Sequence, residues 1–135
     1  MVATPTSGKI ISYPAKTVDR AELALRCAPF HLALFAKLRW EGVSVPKLAG
    51  ALGVNAGYTR YPLSELNVET ATNWLIQVGM LRREVDGQGL TDSFRLTPLG
   101  LALVQKWEDK GGKLPSVSAL DRLKNWNARW VRLLF

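Results

Sequence analysis

The chain has 135 residues, 47% of them hydrophobic, which is enough for one domain with a real core and too few for two of ordinary size. Its single cysteine, Cys27, excludes an internal disulfide framework and points to a cytoplasmic, soluble protein, and no apolar run approaches the roughly 18–20 residues that cross a bilayer. The formal charge of +7 sits mostly at the ends: residues 1–16 carry +2, residues 17–112 hold 11 basic and 10 acidic side chains, and residues 113–135 carry +4.

Residues 1–16 mix Pro, Thr, Ser, Gly and Lys and read as a flexible arm. Thr17 and Asp19 open a helical pattern that runs to Cys27. Pro29 cannot sit inside an uninterrupted helix, so a second helix is expected from there to about Trp40, with Phe30, Ala33, Leu34 and Leu38 at helical spacing. Ser44 is placed to cap a helix containing Val45, Leu48 and Leu52, with Pro46 in its first turn and Gly53 as its stop. Asn55 to Leu63 then form a loop or an added turn.

Ser64 or Asn67 can cap the next helix, whose core positions are Val68, Ala71, Thr72, Leu75 and Val78 and whose polar stripe is Glu69, Thr70, Asn73 and Gln77. Gly79 suits its C-terminus. Asp86-Gly87 and Gly89 supply the positive φ of a tight hairpin, and on the return strand Phe94 and Leu96 share one face while Ser93 and Arg95 take the other. Thr97 caps a further helix that begins at Pro98, and Gly111-Gly112 with Pro115 end it. From Ser116 onward the tail is again helical: Leu120, Leu123, Trp126, Trp130, Val131, Leu133 and Leu134 fall in one arc, opposite Arg122, Asn125, Arg129 and Arg132.

The run from Trp74 to Gly100, ending in Leu96-Thr97-Pro98-Leu99-Gly100, resembles the end of a recognition helix, a β-hairpin wing and a closing helix of the winged helix-turn-helix superfamily. That resemblance covers roughly residues 30–107. It implies a mainly α fold with a small β-hairpin, built as a winged helix-turn-helix (residues 17–112) with extra N- and C-terminal helices, the latter being the basic amphipathic segment 113–135. The loop from 55 to 63 departs from compact members, in which the recognition helix follows almost at once.

The resemblance also implies double-stranded DNA as partner, with the recognition helix in the major groove and the wing beside the phosphates. The residues that would carry this are Thr70, Asn73 and Gln77 toward base edges, and Lys47, Arg60, Arg82, Arg83 and Arg95 toward the backbone. Two features pull the other way: the recognition helix carries Glu65 and Glu69 and no basic residue, and Tyr58 and Tyr61 around Arg60 equally suit pinning the loop to the body. A transcriptional regulator is therefore weighed against a winged-helix module that binds a protein partner without DNA.

For the tail arc of Leu120, Leu123, Trp126, Trp130 and Leu134, homodimerisation or packing on its own domain is expected ahead of membrane contact. Cys27 and His31 offer no zinc site, because zinc normally takes four ligands and no second Cys or His exists. With one histidine and no phosphate-binding glycine loop, neither a catalytic site nor a cofactor is expected.

Overall fold

The computed structural model describes residues 13–114 and 117–134, with the side chains of 86, 90 and 131–134 outside the description. Most of the expected arm (1–12), the expected helix start at Ser116 and the Leu134 side chain thus lie outside the described residues. The elements in chain order are α1 (Ala15–Cys27), α2 (Leu32–Leu38), β1 (Val43–Ser44), α3 (Val45–Leu48), α4 (Gly50–Asn55), α5 (Glu65–Gln77), β2 (Leu81–Asp86), β3 (Gly89–Leu96), α6 (Pro98–Asp109) and α7 (Ala119–Leu134). The protein is mainly helical around one small antiparallel sheet of strand order β1-β3-β2.

α1 begins at Ala15, inside the segment read as an arm, and ends where Pro29 forces the preceding Ala28 into extended backbone. Phe30 then bridges Thr59 before α2 starts, so the second helix is shorter than its periodicity suggests. Leu34, Phe35 and Leu38 enter the core, but Ala33 is exposed. β1, which the sequence pattern does not announce, pairs Val43 with Phe94 and Ser44 with Ser93.

The single helix expected from Ser44 to Gly53 is two short ones. Gly50 takes φ +60, and its N–H donates to Leu63 O at 2.7 Å instead of to the preceding turn. Gly53 is therefore not a stop but a point of close approach within α4: a Cβ there would run into the Leu48 carbonyl. Leu52, one of the apolar residues of the expected helix, points outward at 64% exposure.

The long loop closes back on the body through His31 N–H to Tyr58 O at 2.9 Å and Arg60 N–H to Pro29 O at 3.0 Å. Its Thr59 and Leu63 are buried, Tyr58 packs against the core and Tyr61 stands in solvent. Ser64 caps α5 by accepting from Asn67 N–H, and Gly79 at φ +91 ends it. Of the two hairpin glycines Gly89 takes a positive φ and Gly87 does not, and β2 carries an irregularity between Arg83 and Val85. Thr97 caps α6 and also ties its start to the end of α5 by donating to Gly79 O. Phe30, Phe35, Phe94, Leu25, Leu75 and Met80 form the centre of the core where helices and sheet meet.

α7 is set against α1 and α5 in an orientation that its amphipathicity does not suggest. Asp121 bonds Arg26 at 3.1 Å, Asn125 meets Trp74, and Arg129 reaches Thr70, so the polar edge of the helix faces the domain. Leu120, Leu123, Trp126 and Trp130 remain 48–59% exposed. Of the two covers expected for this arc, homodimerisation or packing on its own domain, the domain does not cover these four side chains: polar pairing at Arg26, Trp74 and Thr70 fixes the helix by its other edge.

Candidate nucleic-acid interface

The polar stripe of α5 lies on the surface as its spacing requires. Glu65, Glu69, Thr70, Asn73 and Gln77 are exposed, while Val68, Thr72, Trp74 and Leu75 are buried. Thr72 satisfies its hydroxyl by donating to Val68 O at 2.8 Å, which lets a polar residue occupy a core position. Thr70 donates likewise to Leu66 O at 2.9 Å.

Two guanidinium groups flank this stripe from other elements. On the sheet side, Arg83 lies with its head 5.1 Å from the centre of the Phe94 ring and donates to Asn73 Oδ1 at 3.3 Å and Thr91 O at 3.5 Å. On the other side, Arg129 of α7 donates to Thr70 O at 3.2 Å and lies 5.9 Å from the Trp74 ring. Between them Thr70, Asn73, Trp74, Gln77 and Arg129 line an open cleft of about 200 Å³. The helix itself contributes no cation; its neighbours supply one on each side.

Arg129 was assigned by sequence only to the polar side of the tail, not to this surface. Trp74 was not counted in the core. Its indole N–H donates to Asn125 Oδ1 at 2.9 Å, so α7 both covers the ring and satisfies its polar end. The available signal was a tryptophan beside Asn73 on a polar helix side, which needs a cover from elsewhere.

The remaining sequence candidates divide. Arg82 is exposed and in register with Arg95, on the sheet face away from Arg83. Arg95 is committed inward: its guanidinium donates to Leu38 O at 3.2 Å and Arg39 O at 3.3 Å and pairs with Glu84 at 3.3 Å. It closes the C-terminal end of α2, where carbonyls lack partners within the helix. Lys47 is exposed on α3. Arg60 donates to Ala28 O at 3.4 Å and lines a different open cleft with His31 and Lys113, away from the α5 stripe. The structure thus gathers Thr70, Asn73, Gln77 and Arg83 with Arg129, and does not bring Arg60 or Arg95 into that group.

Beside this surface, Cys27 at the end of α1 turns its Sγ toward α7, 3.9 Å from Asp121 O, and burial pushes its thiol above the ordinary value. The Asp121 carboxyl is held below its ordinary range, chiefly by the Ser118 backbone N–H, with further help from the Ser118 side chain and the Arg26 guanidinium. Among the described residues no group of three or more His, Cys, Asp or Glu is arranged to hold a metal ion, and no helix is long and apolar enough to cross a membrane.

No match is found among curated proteins or solved structures. A family model does match, over residues 11–129, and spans nearly every element described above: the chain belongs to the Npun_F0494-like family.

Proposed function

We propose that this is a winged-helix DNA-binding protein acting in the cytoplasm, with α5 as the recognition helix, β2–β3 as the wing and regulation of transcription as its role. The observation that carries the reading is the continuous polar line from Arg83 through Asn73 and Thr70 to Arg129. Amides and hydroxyls there have the donors and acceptors for base edges, and a guanidinium at each side can meet a phosphate. The element order around α5 and the hairpin adds support, since a helix backed by a three-stranded sheet presents its outer stripe and the adjacent wing to one side.

The test is an anisotropy titration of the full chain against a random-sequence duplex over a salt series. Binding that weakens steeply as salt rises fits the reading, because phosphate contacts release counterions. No binding at the lowest salt sinks it. A second reading, a module that holds a protein without DNA, draws on Glu65 and Glu69, which stand exposed at the start of the same helix and repel phosphate. It gains if a single stoichiometric protein partner survives nuclease treatment while the duplex titration stays flat.

A further inference from the structure

The α7 arc is an exposed apolar surface on a helix whose opposite edge is already fixed. Leu120 and Leu123 are each 59% exposed, Trp126 57% and Trp130 48%, and the two indole rings sit 5.9 Å apart. Together they present on the order of 400–500 Å² of apolar surface, taking about 150–250 Å² for an aromatic side chain. A patch of that size is in the range of the largest apolar patch on a monomer, about 300–600 Å², and such patches are often functional.

The charges beside the arc select among occupants. At 100° per residue Arg122 lies between the inward edge and Trp126, closer to the arc than the opposite side where the sequence pattern groups it, while Lys124 borders the arc beside Leu120, and both are exposed. The only acid of the helix, Asp121, points inward to Arg26 and Ser118. A second copy laid along this seam would bring cations against cations on its flanks, with no outward acidic side chain on α7 to offset them. The area argues the same way, since stable pairing buries about 800 Å² on each partner, well beyond what this arc offers. An anionic lipid surface fits both observations. Tryptophan favours the boundary between headgroups and chains, leucine the acyl region just below, and flanking Lys and Arg the phosphates.

We propose that α7 is a peripheral docking element for anionic membrane surfaces, inserting Leu120, Leu123, Trp126 and Trp130 among the lipids while Arg122 and Lys124 meet the headgroups. The helix does this without leaving its domain, because Asp121, Asn125 and Arg129 hold it from the other side. The inference stands apart from the DNA reading, which uses the inner edge of α7.

The test is vesicle flotation of the full chain, without nucleic acid, on phosphatidylcholine alone and on phosphatidylcholine mixed with phosphatidylserine. The expected result is flotation with the mixed vesicles only, falling as salt rises and lost in the Trp126→Ser, Trp130→Ser double variant whose thermal melt is unchanged. Should that variant unfold, Arg122→Glu with Lys124→Glu replaces it, and the same loss is expected. Failure to float on the mixed vesicles overturns the proposal, and so does equal flotation on both vesicle types. A dimer in sedimentation equilibrium that dissolves in the tryptophan variant, with no flotation, assigns the arc to a second copy instead.

Discussion

Three arginines expected from the sequence or the structure to serve this surface should respond differently to removal, because only two of them flank it. Arg83 and Arg129 flank the α5 stripe with their heads at its margins, whereas Arg95 spends its donors on Leu38, Arg39 and Glu84. Each phosphate neutralised contributes about 0.9 to the slope of log affinity against log salt, a factor of about 3.5 between about 50 and 200 mM. Arg83→Ala and Arg129→Ala should each flatten the slope by about 0.9, and the double variant by about 1.8, giving back about a twelvefold difference over that interval. Arg95→Ala should leave the slope alone and instead destabilise the fold by about 1–3 kcal/mol, the usual cost when a part-buried, charge-assisted donor is lost and its acceptors are left unmet. Anisotropy titrations on a random-sequence duplex read the slopes, and urea unfolding reads the stability. If Arg95→Ala flattens the slope as much as Arg83→Ala does, or if neither Arg83 nor Arg129 changes it, the proposed docking face is wrong.

Asn73→Ala should cost about 1–3 kcal/mol on a preferred duplex and little on others, as an amide contact to one base would, which a competition series with single-base changes checks. Gly53→Ala should destabilise by about 1–3 kcal/mol or more, because its Cβ would meet the fixed carbonyl of Leu48; chemical denaturation measures it. Cys27 should alkylate more slowly than a free thiol at neutral pH, since burial raises its pKa and depletes the thiolate, and Asn125→Ala should accelerate the reaction by loosening α7. The Asp121 carboxyl has a lowered pKa in the folded state, so its contribution to α7 docking is present above the ordinary value of 3.8 and is lost as pH falls through the lower folded value. The Trp74 indole NMR signal should follow that loss in the native protein and not in Asp121→Asn.

Sequence carried some of this architecture well and the rest poorly, and the division has a physical basis. Ser64, Gly79, Thr97 with Pro98, and Gly89 each act through bonds or φ values within a few residues, so a one-dimensional pattern contains them. The split between α3 and α4 depends on Leu63 O capturing the Gly50 N–H across 13 positions, and β1 is a strand only because Phe94 lies beside Val43. Arg95 shows the same limit for a site: a basic residue on a hairpin reads as a phosphate contact until the open end of α2 is found beneath it. The tail exposes the limit most sharply. An amphipathic pattern says that one face of α7 avoids water, but not that the domain is what covers it. The Trp74 indole N–H meets Asn125 and Arg26 pairs with Asp121, both on the polar edge of α7, so these part-buried polar contacts accompany the orientation that the amphipathic pattern does not suggest. That arrangement puts Arg129 beside Thr70 and leaves Trp126 and Trp130 outward, so the cation flanking the α5 stripe and the exposed aromatic face follow from one packing arrangement.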